Sequence, residues 1–207
     1  MDIQLSTFFL LFALVLSACG TATPTAEPQA VNVYATSAAQ PWLTSLYTCA
    51  ADSSVVLNLN AGSPEIYLRV GEPDVLVSPV YQVGEEEILV VVQRESPVQN
   101  LTLAEAQNLF AQGNPWVYPS DADLQMMFDQ LVMKGRSVSS SARVAVSPQN
   151  MSDGLKSDPA AIGILPRHFV TGDVREVFSA GRVPVLAVTK TEPQGAVIEL
   201  ISCLHNN

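Results

Sequence analysis

Along residues 31–204 the spacing of apolar positions switches repeatedly between two and about 3.6, which predicts strands and helices in alternation. VNVYAT (31–36) alternates as a half-buried strand does. SAAQPWLTSLYTCAAD (37–52) then sets Leu43, Leu46, Tyr47 and Ala50 on one helical face behind Ser37, a residue type that caps helices. SSVVLNLN predicts a second strand and EIYLRVG a third after only the short break AGSP, so one crossover is reduced or missing. ILVVVQRES (88–96) is a continuous β-branched run, as in a strand buried on both faces, and it ends at Pro97.

In VQNLTLAEAQNLFAQGNP, Thr102 with Glu105 three residues on forms a capping box, and Gly113-Asn114-Pro115 stops the helix. WVYPS is a strand, DADLQMMFDQLVMKG a helix preceded by Ser120, SPQNMSDGLKSD a helix opened by Ser147, and AIGILP a short buried strand. REVFS and VPVLAVT are expected as separate strands, and EPQGAVIELISCL as a closing helix with Ala196, Val197, Leu200, Ile201 and Leu204 apolar. Glu85, Glu86 and Glu87 form a turn-like charge run, expected as a solvated edge. The alternation as a whole predicts an α/β fold with mostly parallel sheets.

Composition narrows the function classes. Of 207 residues 48% are apolar, enough for one substantial core or two small ones, and 20 acidic against 10 basic residues give a formal charge of -10. Such a chain repels nucleic acid phosphates and has no basic stripe to offset the repulsion. It does not adhere electrostatically to anionic lipid either, so membrane association needs an anchor.

The N-terminus offers one. The apolar run 7–18 is too short to cross a hydrocarbon core of roughly 30 Å but fits a secretory signal, with Asp2 and no Lys or Arg ahead of it. Leu16-Ser17-Ala18-Cys19-Gly20 resembles the lipobox of bacterial lipoproteins. The resemblance implies cleavage before Cys19, a diacylglyceryl and palmitate-type lipid on its thiol, and attachment to the cell membrane on the extracytoplasmic side; the alternative is an ordinary signal peptide. GTATPTAEPQA then cannot bury enough apolar area to fold, and residues 19–30 are expected as a tether. Outside the cytoplasm Cys49 and Cys203 are an even pair expected as a disulfide, the alternative being two buried thiols. His168 and His205 have no neighbouring ligand types, so neither a metal nor another cofactor is expected.

Two passages are more specific. ILVVVQRESPVQNLTLAEAQNLFAQG is similar to the strand, hinge and helix of phosphate-binding-like (type 2) periplasmic solute-binding proteins, through Val90, Val91, Pro97, Val98, Asn100, Leu101, Thr102, Leu109, Phe110 and Gly113. SPQNMSDGLKSDPAAIGILP resembles that family's helix followed by a G-A-I-G-Y strand, through Ala161, Ile162 and Gly163. The resemblance implies a two-lobed fold, with residues 31–92 and 183–204 in lobe one and 93–182 in lobe two. It also returns the last helix to lobe one, placing Cys203 near Cys49. The chain is short for the family, so some crossovers are trimmed.

In such proteins the ligand lies between the lobes, at loops after strands and at helix N-termini. The corresponding candidates are Thr36, Ser37, Arg69, Glu72, Ser120, Asp121 and Ser147. The stretch YPSDADLQMMF has the form of an anion cradle, yet Ala122-Asp123-Leu124 stand where phosphate-binding relatives carry Ser-Gly-Thr, with no Arg at the family spacing ahead of them. Carboxylates there raise the cost of a dianion, so phosphate is disfavoured and a neutral or cationic ligand, or none, gains ground. The expected function is an extracytoplasmic solute-binding lipoprotein that delivers a small-molecule solute to the permease subunits of an ABC-type transporter. A degenerate relative acting as a sensor or protein-interaction scaffold is the alternative. No Ser-His-Asp order, nucleophile elbow, paired His or P-loop points to an enzyme.

Overall fold

The computed structural model describes residues 29–206 except 74 and 76; the expected signal segment, Cys19 and most of the tether lie outside them. In chain order the elements are β1 (Ala30–Ala35), α1 (Trp42–Asp52), β2 (Val56–Leu59), β3 (Ile66–Val70), β4 (Val80–Gln93), α2 (Leu103–Gln112) and β5 (Trp116–Val117). Then follow α3 (Asp123–Phe128) with a π-helical turn (Asp129–Met133), β6 (Arg143–Val144), α4 (Pro148–Lys156), β7 (Ile162–Pro166), β8 (Val174–Val188) and α5 (Ala196–Asn206).

Six strands form one mixed sheet in the order β2-β1-β3-β8-β4-β7. Within it only β2-β1 and β1-β3 are parallel; β8 is antiparallel to both β3 and β4, and β7 to β4, while β5 and β6 make a separate two-stranded parallel pair. The expectation of mostly parallel sheets is therefore corrected to a mixed one. The cause is two long strands, β4 and β8, which run antiparallel through the molecule and belong to both lobes. The first half of β4 pairs with 182–188 and joins β1, β2 and β3 in lobe one; its second half pairs with 174–181 and with β7 in lobe two. Three register shifts interrupt the ribbon, one between Gln82 and Gly84 and two close together between Ile88 and Leu89 and between Val90 and Val91, and bulges of this kind bend a strand. At the bend Gly181 has φ +120°, a conformation side chains rarely adopt, and this is why a glycine stands there.

REVFS and VPVLAVT are consequently one strand, not two. The charge run at 85–87 is likewise inside β4, not a turn, and Glu86 is only 1% exposed. Its carboxylate meets Nδ1 of His168 at 2.5 Å. Glu87 accepts from Ser179 Oγ (2.7 Å) and from Nε and Nη2 of Arg167 (3.0 and 2.8 Å), and Arg167 also reaches Glu176 at 2.8 Å. The Ser179 hydrogen bond and then Arg167 hold the Glu87 carboxyl below its ordinary value. A depressed carboxyl stabilises the fold fully above its unfolded value, here about 4.5, and loses that contribution as pH falls through the folded value. Glu87→Gln should therefore be less stable than the parent in urea at pH 7, and the gap between their midpoints should close by pH 3.

The missing crossover has a simple geometric origin. Leu59 at the end of β2 and Ile66 at the start of β3 both sit opposite Val33 of β1, so the chain need not travel back before starting the next parallel strand. Residues 60–65 cross β1 directly, tied by Asn60 N–H to the Val33 carbonyl (2.9 Å) and Glu65 N–H to that of Asn32 (2.7 Å). With no helix on this connection, lobe one has two helices. Val31, Val33, Ile66, Leu68 and Val70 point into a core shared with Leu46 of α1 and Leu200 and Ile201 of α5. Cys49 of α1 and Cys203 of α5 form a disulfide, with 5.9 Å between their Cα atoms.

Lobe two gathers α2, α3 and α4 around β7 and the adjoining halves of β4 and β8. Phe110 of α2 and Phe128 of α3 meet at 4.5 Å between centroids, and Met151 and Leu155 of α4 lie over Gly163, where a Cβ would come within 2.6 Å of the Met151 sulfur. The capping box on α2 forms as expected, Thr102 accepting from Glu105 N–H and Glu105 from Thr102 N–H. Two expected caps do not. α1 begins after Pro41, with Ser37 in the preceding turn, and α3 begins after Ala122 with no side-chain cap, so Ser120 stands outside it.

Candidate functional site

Residues opposed in register share a face, so Tyr34 and Tyr67 lie side by side on the sheet face opposite Val33 and Leu68. Arg69, two positions on from Tyr67, follows on that face. Thr36 and Ser37 lie just past the end of β1. Across from them are Tyr118 and Pro119 after β5, Asp121 and Ala122, then Asp123 and Met126 of α3, with Val146 after β6. Together these enclose a cleft of about 320 Å³ between the lobes. Gly71 closes β3 with φ +74°, and a Cβ there would stand 2.1 Å from the Met127 sulfur, so this exit from the strand needs glycine.

Arg69 dominates the electrostatics. It is 8% exposed, and neither Nε nor Nη2 has a hydrogen-bond partner among the described residues. A buried guanidinium costs several kcal/mol when unpaired, so it persists only where its surroundings are organised around it. Nε and Nη2 share one edge of the planar group, the edge that takes two oxygens of a carboxylate or phosphate side by side.

Asp123 faces the same space and is already engaged. One carboxylate oxygen accepts from Thr36 Oγ1 at 2.6 Å and from Val70 N–H at 2.9 Å, both in lobe one; the other accepts from Leu124 N–H at 2.8 Å. The side chain is 6% exposed. It is a clasp between lobes, made by a carboxylate that takes donors a solute would otherwise use. Burial raises the Tyr67 phenol above its usual value, with Arg69 opposing and Asp123 and Tyr34 adding to the rise; Tyr118 is raised well above by burial and then Asp123. Both phenols stay neutral donors. Tyr118 spends its proton on the Ile164 carbonyl at 2.8 Å, which leaves Tyr34 and Tyr67 for the cleft.

Of the residues singled out in the sequence, Thr36, Ser37, Arg69 and Asp121 line this cleft; Glu72, Ser120 and Ser147 do not. Glu72 is exposed on the loop after β3. Ser147 caps α4, accepting from Asn150 N–H at 3.1 Å. Tyr34, Tyr67 and Tyr118 were not singled out. The signal for the first two was parity, since each stands two positions before a residue that was, Thr36 and Arg69.

No protein-family model matches the chain, and no curated protein matches it. Solved structures do. A phosphate ABC transporter substrate-binding protein from Clostridium perfringens, with bound phosphate, superposes with a TM-score of 0.75 at 14% identity, covering 85% of this chain and 93% of that one. An ABC-type phosphate transport receptor from Vibrio cholerae gives 0.63 at 13% identity, covering 84% and 93%. The regulatory domain of CcmR from Synechocystis, in complex with 2-PG, gives 0.65 at 11% identity, covering 86% and 96%. At these identities the likeness shows the fold, two-lobed and binding-protein-like, and it spans transport and regulatory proteins alike.

Proposed function

We propose that this chain is the solute-binding component of an ABC-type transporter, held outside the cytoplasm on the cell membrane by a lipid on Cys19. In this reading it binds and releases one small molecule and catalyses nothing. Neither His168 nor His205 lines the cleft. The observation that carries the reading is Arg69, a buried guanidinium with two unpartnered donors on one edge, set between lobes in a cleft large enough for a small solute. The fold shared with substrate-binding proteins supports it.

Thermal shift of the protein against oxyanions, carboxylates, sugars, amino acids and cations tests it. At 100 times Kd a ligand adds about 2.7 kcal/mol, which for a chain of this size is a rise of roughly 5–10 °C. One class should give that rise, and Arg69→Met should abolish it while melting no lower than the parent, because an unpaired buried charge is removed. The anchor is tested separately: Cys19→Ser should release the mature protein from the membrane.

The second reading, a sensor or interaction scaffold that keeps the fold without transport, is favoured by the Asp123 clasp, which bridges the lobes with the protein's own carboxylate. No melting shift with any class, together with an unaltered Arg69→Met variant, would decide for it.

A further inference from the structure

We propose that the solute is a small organic monoanion with a planar body, its carboxylate on Arg69 and its ring against the Tyr34 and Tyr67 pair. This rests on the reading of the cleft as a solute site and adds the chemical class.

Charge sets the head group. Arg69 is the one cation lining the cleft among the described residues, and Asp121 and Asp123 line it too. Asp123 has its oxygens committed to Thr36, Val70 and Leu124, so it offers a dianion only repulsion. A single negative charge matches the paired Nε and Nη2 donors of Arg69 without a second charge left facing carboxylates.

The walls set the body. The Tyr34 and Tyr67 rings stack with centroids 5.5 Å apart and planes 6° from parallel. A cross-strand pair steadies a sheet by itself, but here Tyr34 is 38% exposed and both rings line the cleft. Across the cleft stand the apolar side chains of Met126 and Val146. Tyr67 and Arg69 also line a second cavity of about 200 Å³, whose other walls include Pro73, Val75, Val77 and Val188. A cationic edge beside a flat aromatic platform with apolar space beyond suits an aryl or heteroaryl carboxylate. A compact tetrahedral oxyanion would leave the platform unused.

Calorimetric titration of the full-length protein with benzoate, phenylacetate and indole-3-acetate, against acetate, benzamide and inorganic phosphate, tests the class. At least one planar monoanion should bind tenfold or more tightly than acetate, benzamide and phosphate. Tyr34→Ala, at a half-exposed position, should weaken it about threefold to tenfold while leaving acetate unchanged. Phosphate, acetate or benzamide binding as tightly as the aryl carboxylates, or Tyr34→Ala leaving them unaffected, would overturn the class and leave solute binding standing. If these probes and the broader solute panel all fail to bind, both fall.

Discussion

Replacing Cys49 and Cys203 together with Ala should lower stability by about 5 kcal/mol. The bridge spans 154 residues, and closing so long a loop removes about that much chain entropy from the unfolded state. The geometry explains why the bridge is placed where it is. α1 follows the first strand and α5 ends the described chain, yet both cover the same core of lobe one, with the whole of lobe two looped out between them. Without the bridge, α5 is held by Val197, Leu200, Ile201 and Leu204 and by a hydrogen bond linking His205 Nδ1 to the Gln82 carbonyl at 2.9 Å. Urea denaturation of the double variant should show its midpoint lowered by roughly 2 M, with most of the change in the folding rate, since the constraint acts on the unfolded chain. A loss below about 1 kcal/mol would mean that α5 packing sets the stability and the crosslink adds little.

How much of this was legible in the sequence depends on the distance between partners. Local signals gave the right elements: the Thr102 and Glu105 box, the Ser147 cap, the closing apolar helix and the short break AGSP all correspond to what the chain does. Apart from the Cys49–Cys203 bridge, pairings across long separations were not legible. Glu85 to Glu87 interrupt an apolar run, so β4 is visible only from Ile88 onward; the partner of the buried Glu86 is His168, 82 residues away, and that of Glu87 is Arg167, 80 away. The same break in pattern at Ser179 to Arg182 hid the continuity of β8, and with it the mixed sheet.

The site shows a parallel division. Residues at strand ends, Thr36 and Ser37, stood out because such positions open onto clefts, whereas Tyr34 and Tyr67 needed the β1 and β3 register to be seen as one surface. Asp121 and Asp123 were both visible as carboxylates where anion donors would be useful. Their difference was not, since Asp121 stays exposed while Asp123 turns inward to two donors more than 50 residues earlier in the chain.

That inward turn makes Asp123 the position where geometry and charge can be separated. Asp123→Ala should cost about 3 kcal/mol, because it leaves Val70 N–H and Thr36 Oγ1 without the charged acceptor that joins the lobes, and hydrogen bonds to charged groups are worth about 1.5–3 kcal/mol each. Melting should fall by roughly 6–12 °C, and the Val70 amide should lose its protection from hydrogen exchange. Asp123→Asn tests the other half. Both lobe-one donors go to a single oxygen, so an amide oxygen in that place keeps the clasp and gives up only the charge and the acceptor for Leu124 N–H. The Asn variant should keep Val70 protected yet bind inorganic phosphate at least about tenfold more tightly than the parent, since a unit charge within about 8 Å is worth about 2 kcal/mol at an effective dielectric near 20. If the Asn variant gains no phosphate affinity, Asp123 is a clasp alone and does not set which charge the cleft accepts. If the Ala variant keeps Val70 protected, the lobes are held by the β4 and β8 ribbon without it.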